Sequence, residues 1–504
     1  MTLRHCITHL SALLMASTIL SGCADTGSET ASHPTPLPVT STPIKPNIIL
    51  IMADDLGWRD VGFNGSKTAL TPNIDAMASN GLVLDRFYSA SPVCSPTRGS
   101  VMTGRHPHRF GVTHANIGKL KDEEVTLAEL LKAEGYATGF FGKWHLGTLT
   151  KDVIDANRGG RPEHIDAFSP PSQHGFDVSF ASESKTPTFD PMIKPTKGEK
   201  RTWWNPANDP AHATEYGTFY WDTTGERVKE NLGGDDSRVI VDRAVTFMEQ
   251  AATEGKPFFA VVWLHTPHLP VVASTPDRMP FADLPPYDQH YFGSVLAMDR
   301  EVGRVRETLK ALGVADNSLV AFTSDNGPEH LFADQSPPGR AGTSRGTKRS
   351  LYEGGVHVPS VIEWPRVITA PRRSASVATS TDYLPTIADI LEVELPERVY
   401  DGRSIRGAIE GNDSERTAPV GFVFLDQESW VGQRYKLIRN SSLERAPHDN
   451  GSAPIAKIEL YDLIEDAGET RNIADEHPDI VAKMTADLDA WRSSVDASAK
   501  GADY

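Results

Sequence analysis

The chain has 504 residues, of which 39% are hydrophobic and 23% are charged. This composition is typical of a soluble globular protein, and the length is sufficient for a large α/β core with a smaller appendage. The formal net charge of −17 argues against nucleic acid as a partner. Proteins that bind phosphate backbones usually present a basic face.

The N-terminal residues have the pattern of an export signal. Residues 1–5 are a short basic segment, and the mostly apolar run that follows is too short to span a membrane comfortably. It ends in Leu-Ser-Gly-Cys at Cys23, which resembles the lipobox of bacterial lipoproteins. We therefore predict a signal peptide over residues 1–22 and a bacterial lipoprotein, anchored to a membrane through lipid on Cys23, in the periplasm or at the cell surface. An ordinary secretory signal cleaved elsewhere is the alternative.

The rest of the chain divides by composition and periodicity. Residues 23–46 are rich in Ser, Thr and Pro, which predicts an extended tether. Buried-strand patterns then alternate with amphipathic helix patterns over residues 47–390, which predicts an α/β domain with a large, mostly parallel sheet flanked by helices. Shorter strands and a final helix predict a small α+β subdomain over residues 391–495, followed by a tail over residues 496–504.

Acidic and amide side chains follow two of the predicted strands. Asp54 and Asp55 end the first strand, and Asp325 and Asn326 end a later one. Ligands of a doubly wound sheet bind beyond the carboxyl ends of its strands, so these side chains are expected to meet. Oxygen ligands suit Ca²⁺ or Mg²⁺ rather than Zn²⁺, and we predict a metal site here. For either pair alone, a helix cap beside a solvated acid is the alternative.

Cationic side chains also lie at predicted strand ends or in the adjoining loops. They are Arg98, Lys143, His145, His265 and Lys348. A metal together with several cations predicts an anionic substrate with oxygen atoms to bind, such as a sulfate or phosphate ester. Taken singly, each of these residues is more often a surface or structural residue.

Cys94 is a lone thiol in the predicted mature chain. Of the three cysteines, Cys6 would leave with the signal peptide and Cys23 would carry lipid. Cys94 would therefore have no disulfide partner within the chain, although exported proteins commonly use cysteine for that purpose. Pro96 predicts a helix start beside it, and the backbone amides of that turn favour an anion. A small buried hydrophobic residue is the alternative.

The segment CSPTRGSVMTGR, from Cys94 to Arg105, resembles the sulfatase signature, whose core is Cys-x-Pro-x-Arg. Further segments agree with this resemblance: NIILIMADDLG, GKWHLG, LHTPH, SDNG, GTKRSLYEGG and ELYDLIEDAGETRNIAD. The resemblance covers nearly all of residues 47–495. The chain thus resembles the formylglycine-dependent (type I) sulfatases, which implies sulfate ester hydrolysis and the alkaline-phosphatase-like fold.

The resemblance also implies a modified residue and a metal. In that family a formylglycine-generating maturation enzyme oxidises the signature cysteine, here Cys94, to formylglycine (3-oxoalanine), whose aldehyde hydrates to a diol. The implied Ca²⁺ ligands are Asp54, Asp55, residue 94, Asp325 and Asn326, with Mg²⁺ as the fallback metal.

The same resemblance implies roles for the cations. One hydroxyl of the diol attacks sulfur while Arg98 and Lys143 hold the diol. His265 and Lys348 face the leaving oxygen, and one of them donates a proton. His145 takes the proton of the second hydroxyl, so that sulfate is expelled and the aldehyde is regenerated.

The substrate is expected to be a sulfated polysaccharide or oligosaccharide, because export, a tether and an aromatic-rich segment favour a glycan over a small aryl sulfate. The candidates for sugar recognition are His268, Trp203, Trp204, Trp221, Arg340 and Arg345. Ordinary packing is the alternative for the tryptophans. Aryl sulfate hydrolysis, phosphonate or phosphodiester hydrolysis, and a non-catalytic glycan-binding lipoprotein remain as other hypotheses.

Overall fold

The computed structural model describes four stretches of the chain, all within a unit that runs from Lys45 to Tyr504. The described stretches are residues 45–198, 203–329, 343–444 and 454–504. The predicted signal peptide, Cys23 and nearly all of the predicted tether lie outside the described residues, as does Arg340. No helix within these four stretches combines the length and hydropathy needed to cross a membrane.

The described residues contain fifteen strands in three sheets. In chain order they are β1 (Asn47–Ala53), β2 (Leu82–Tyr88), β3 (Ala137–Lys143), β4 (Val178–Ser182), β5 (Thr196–Lys197), β6 (Trp204–Asn205), β7 (Tyr220–Asp222), β8 (Phe258–Trp263), β9 (Ser318–Ser324), β10 (Ser360–Glu363), β11 (Arg372–Thr379), β12 (Val420–Phe424), β13 (Gln427–Val431), β14 (Tyr435–Asn440) and β15 (Ile458–Asp462).

The large sheet has nine strands in the order β11-β2-β10-β9-β1-β8-β3-β4-β7. Its central strands β9, β1, β8, β3 and β4 run parallel, whereas β10 and β7 are antiparallel to their neighbours. Alternate residues of β1 enter two different hydrophobic clusters, Ile48 in one and Ile49 in the other, so that both faces of the sheet are covered. This mixed, mostly parallel sheet confirms the predicted fold class.

The described part of the chain has ten α-helices. They are α1 (Pro72–Asn80), α2 (Cys94–Thr103), α3 (Leu127–Ala133), α4 (Asp236–Thr253), α5 (Thr275–Arg278), α6 (Pro286–Ala311), α7 (Glu353–Val356), α8 (Tyr383–Leu391), α9 (Arg406–Glu410) and α10 (Pro478–Ala499). The amphipathic patterns that predict helices before β3, β8 and β9 correspond to α3, α4 and α6. A capping box between Thr126 and Glu129 begins α3, because each side chain binds a backbone amide of the other residue.

The C-terminal region forms a separate antiparallel sheet, β12-β13-β14-β15, against which α10 packs. Buried Lys436 on β14 connects this sheet to α7, since its Nζ lies 2.9 Å from Glu353 at the start of α7 and 2.9 Å from Glu469. The limits of the predicted subdomain remain predictions. Helix α10 continues to Ala499, and the Tyr504 hydroxyl donates a hydrogen bond to Glu124, so the predicted tail is folded against the main body.

The aromatic-rich segment between β3 and α4 contributes a strand to the large sheet. Strand β7 pairs with β4, with Trp221 opposite Ala181. Three residues are too few to show a strand period in the sequence, and the neighbouring strand supplies the hydrogen bonds that define it.

Candidate active site

Several of the predicted site residues converge at one edge of the large sheet. Asp54 and Asp55 directly follow β1, Lys143 is the last residue of β3, and Asp325 directly follows β9. These strands run parallel, so their carboxyl ends meet at the same edge. Cys94, the first residue of α2, lies at this edge, with its Sγ 3.6 Å from Asp54 Oδ1.

A cavity of about 630 Å³ opens at this edge. Of the residues predicted to serve catalysis or recognition, Cys94, Lys143, His145, His268 and Lys348 line it. The cavity therefore combines the signature cysteine with several cationic or imidazole side chains.

Helix geometry places Arg98 beside Cys94, because residues four apart share one face of a helix. Arg98 is fully buried. Its Nη2 lies 2.6 Å from Asp325 Oδ2, and its Nη1 donates to the Lys143 carbonyl oxygen at 3.1 Å. These contacts fix the guanidinium between two strand ends.

The two acids after β1 are each paired with a lysine. Lys143 Nζ lies 2.6 Å from Asp54 Oδ2, and Lys348 Nζ lies 2.6 Å from Asp55 Oδ1. Burial alone would raise the pKa of Asp54, but Lys143 and the other nearby cations hold it well below the ordinary range. Burial likewise disfavours the charged form of Lys348, yet Asp55 holds its pKa well above the ordinary lysine range. Asp54 is therefore ionised and Lys348 protonated at neutral pH.

The Cys94 side chain is buried, and burial raises the pKa of its thiol to about 12 in spite of Lys143 and Lys348. At neutral pH an unmodified Cys94 would be a neutral thiol. The thiolate is the nucleophilic form of cysteine, so the unmodified side chain is poorly suited to attack an ester.

Two overlapping sets of side chains could hold a cation here. Ligand atoms of Asp54, Asp55, Cys94 and His268 all lie within 4.8 Å of one another. The predicted oxygen set instead adds Asn326, whose buried Oδ1 has no hydrogen-bond partner among the described residues. The Asn326 Nδ2 donates to Asp55 Oδ1 at 2.7 Å, which orients the amide and leaves Oδ1 for another ligand. This unpaired oxygen beside carboxylates fits a hard cation.

The two histidines of the LHTPH segment occupy different surroundings. His265 is fully buried, with Nδ1 2.8 Å from Asp236 Oδ2 and Nε2 2.7 Å from Ser182 Oγ, and it does not line the cavity. His268 lines the cavity, with Nε2 3.7 Å from Asp55 Oδ2, and its Nδ1 lies 2.7 Å from the Leu269 carbonyl oxygen.

The other predicted recognition residues that the structure describes do not line the cavity. Trp221 is buried in the core, and Trp203 packs on the core from its edge. Trp204 is half-buried in the two-stranded β5-β6 sheet. Arg345 is buried against the C-terminal sheet, where its Nη1 donates to the Tyr461 hydroxyl at 2.9 Å.

Several cavity residues were missed by the sequence analysis: Asn116, Asn157, Ser184, Lys185 and Tyr216. Ser184 and Lys185 follow β4, and the same strand-end pattern that indicates Asp54 could have identified them. Asn116 and Asn157 lie in loops, where no periodic signal indicates their position.

Residues 46–393 match the sulfatase family, and residues 346–494 match the C-terminal region of the N-sulphoglucosamine sulphohydrolase family. Arylsulfatase G of Mus musculus is 33% identical over 388 residues, which are 73% of this chain and 69% of that protein. Arylsulfatase A of Homo sapiens is 32% identical over 459 residues, which are 85% of this chain and 83% of that protein.

Among solved structures, Ps i-CgsB in complex with k-i-k-neocarrahexaose superposes with a TM-score of 0.72 at 28% sequence identity. The superposition covers 89% of this chain and 93% of that chain.

Proposed function

The chain belongs to the sulfatase family and is a sulfuric ester hydrolase, and we propose that its substrate is a sulfated oligosaccharide or polysaccharide whose ester enters the cavity at Cys94. The observation that carries this proposal is the concentration of cationic side chains at that cavity in an acidic protein. Lys143, Lys185, Lys348 and Arg349 line it, whereas the whole chain has a net charge of −17. Local cations offset the repulsion that an anionic substrate would otherwise meet.

We propose that residue 94 is formylglycine made by a maturation enzyme, and that Asp54, Asp55, residue 94, Asp325 and Asn326 hold Ca²⁺. The hydrated formylglycine supplies the nucleophilic oxygen, and the cation supplies positive charge for the ester oxygens. The neutral, buried state of the unmodified thiol supports the need for such a modification.

The remaining roles follow from the contacts of this chain's own residues. Arg98 and Lys143, held by Asp325 and Asp54, orient the group at residue 94 and offset negative charge there. We assign the position beside the leaving oxygen to His268 and Lys348, because both line the cavity while both ring nitrogens of His265 are occupied.

The proposed glycan specificity rests on Lys185 and Tyr216. Lys185 lines the cavity on the β4 side. Burial lowers the pKa of its ammonium group, and the nearby charges of Lys143 and Lys348 lower it further. A second anionic group of the substrate, a sulfate or a uronate carboxylate, would relieve this repulsion. Tyr216 offers an aromatic surface to the same cavity.

Replacing Lys185 with glutamine is expected to raise KM for a multiply sulfated oligosaccharide about tenfold, because one favourable contact between opposite charges is lost. On a small aryl sulfate, which carries no second anion, kcat/KM is expected to stay within about twofold. Sulfate release on both substrates measures this difference. Lys483→Gln on α10 is the matched control, since the exposed Lys483 side chain pairs with Asp487 away from the cavity. Equal losses on both substrates would contradict the glycan proposal.

We propose in addition that the protein is exported and anchored through lipid on Cys23, on the evidence of the lipobox-like segment alone. In a bacterial host that lipidates its own exported proteins, Cys23→Ala is expected to move the protein from the membrane fraction to the soluble exported fraction. The measurement is sulfatase activity and immunoblotting after fractionation. A wild-type protein that is already in the soluble fraction would refute lipid anchoring.

A further inference from the structure

Asn116 and His145 face each other across the cavity wall with unusual backbone conformations. Asn116 has φ 65° and His145 has φ 57°, in the left-handed region that residues other than glycine, asparagine, aspartate and histidine rarely adopt. The His145 Nε2 lies 2.7 Å from Asn116 Oδ1. These two backbone conformations bring the side chains of Asn116 and His145 together.

A buried acid fixes which way the neighbouring amide points. Asn157 Nδ2 lies 2.9 Å from Glu183 Oε1, which also accepts a hydrogen bond from Arg158 Nε at 3.0 Å. A carboxylate oxygen in this position accepts hydrogen bonds, so the Asn157 atom facing it is the amide nitrogen.

The protonation of Glu183 does not alter this assignment. Burial beside Asp155 raises the pKa of Glu183 to about 8. The Gly159 amide donates to both Glu183 Oε2 and Asp155 Oδ1, which places Oε2 next to Asp155. A proton on Glu183 would therefore be shared with Asp155 through Oε2, and Oε1 stays an acceptor.

The orientation of Asn157 determines that of Asn116. The same Asn157 Nδ2 lies 2.8 Å from Asn116, and an amide nitrogen cannot accept a hydrogen bond, so the Asn116 atom at this point is Oδ1. Arg158 Nη1 holds the loop in place by donating to the Asn116 carbonyl oxygen at 3.1 Å.

The Asn116 oxygen in turn requires a proton on His145 Nε2. A neutral imidazole carries a single N–H, so a proton on Nε2 leaves the lone pair on Nδ1. The Nδ1 atom is buried and has no hydrogen-bond partner among the described residues. Burial and the charges of Lys143 and Arg98 lower the pKa of His145 well below its ordinary value, so the resting imidazole is neutral.

We infer that Asn116, oriented through Asn157 by Glu183, is a positioning residue that fixes the His145 proton on Nε2 and keeps Nδ1 free to accept the proton released at residue 94. This inference rests on the proposed formylglycine chemistry, in which the family resemblance implies that His145 takes the proton of the second hydroxyl. Without these hydrogen bonds both tautomers of His145 would be populated. A ring protonated on Nδ1 has no lone pair on that atom and could not accept the proton from residue 94.

The test compares two substitutions at Asn157, one of nearly the same shape and one that truncates. In Asn157→Asp the new acid lies against Glu183 Oε1, and a proton kept by this pair is shared between the two acids rather than with Asn116. The Asn116 amide is therefore expected to turn over and move the His145 proton from Nε2 to Nδ1. We expect kcat to fall about 10²- to 10³-fold with KM within about threefold. Asn157→Ala leaves the Asn116 amide without a preferred orientation, and the kcat of this variant is expected to fall less than about tenfold. A merely structural role would give the opposite order.

Nitrogen NMR of the full chain identifies the tautomer of His145 without measuring activity. Protonated and unprotonated ring nitrogens differ in chemical shift, and the spectrum of His145→Gln identifies the His145 signals among the 17 histidines. We expect Nε2–H in the wild type and Nδ1–H in Asn157→Asp. Should Asn157→Asp fail to fold, Asn116→Asp is expected to keep Nε2–H, and Asn116→Ala to give a mixture of tautomers.

Nδ1–H in the folded wild type would overturn the inference, as would a truncating variant more damaging than Asn157→Asp. If the His145 ring carries its proton on Nε2 but the protein hydrolyses no sulfate ester, the proposed function is refuted while the inferred role of Asn116 stands. The two failures are therefore distinguishable.

Discussion

Replacing Cys94 with alanine is expected to abolish multiple turnover, with a fall of at least about 10⁴-fold in kcat, as is usual when a nucleophile is removed. Cys94→Ser is expected to fail as well. A serine hydroxyl could attack sulfur once, but it has no second hydroxyl whose deprotonation expels the sulfate. In active wild-type protein, mass spectrometry of the peptide containing residue 94 is expected to show an aldehyde in place of the thiol.

Protein stability provides the control for this prediction. Cys94 is buried at the first position of α2, and alanine is smaller, so the fold is expected to persist with a Tm within about 5 °C of the wild type. Full activity from protein that contains only unmodified thiol at residue 94 would contradict the proposed chemistry.

Removing the metal is expected to have a comparable effect. Elemental analysis of the purified protein should find one Ca²⁺ per chain, or Mg²⁺ as the fallback, and chelation should abolish turnover. Asp54→Asn is expected to lose the metal and to lower kcat at least about 10³-fold, because it removes a ligand charge and leaves buried Lys143 without its partner. Glu329→Gln, which alters a cavity acid outside both candidate ligand sets, is the matched control and should keep its metal.

A further variant separates the two candidate ligand sets. If the ligands are the oxygen set, His268→Ala keeps its metal and loses turnover, since His268 then serves the leaving group. Loss of the metal in His268→Ala would instead place His268 among the ligands. Stoichiometric zinc in fully active protein would contradict the oxygen set altogether.

Much of the site can be predicted from local sequence, because strand and helix geometry places neighbouring residues at known relative positions. Parallel strands end at one edge of a sheet, so a polar residue directly after a buried strand, such as Asp54 or Asp325, can be placed without tertiary information. Cys94 and Arg98 are four residues apart on one helix, which by itself puts them on the same face. The sheet class follows equally from the alternation of strand and helix patterns.

The positions of several other predicted site residues depend on contacts with distant parts of the chain. His265 and His268 lie three residues apart in one loop, and contacts with Asp236 on α4 and Ser182 on β4 hold His265 away from the cavity. Arg345, expected near the substrate, is held by the C-terminal sheet, and Trp221 is buried by pairing with β4.

The sequence by itself therefore determined the fold class, the metal-binding acids as candidates, and the signature cysteine with its arginine. The tertiary structure alone decided which histidine reaches the cavity, that Lys185 lines it, and that Asn116 meets His145. The physical reason is the range of the interactions. Helix and strand periodicity are local, whereas a loop side chain is placed by partners such as Glu183 that lie far away in the chain.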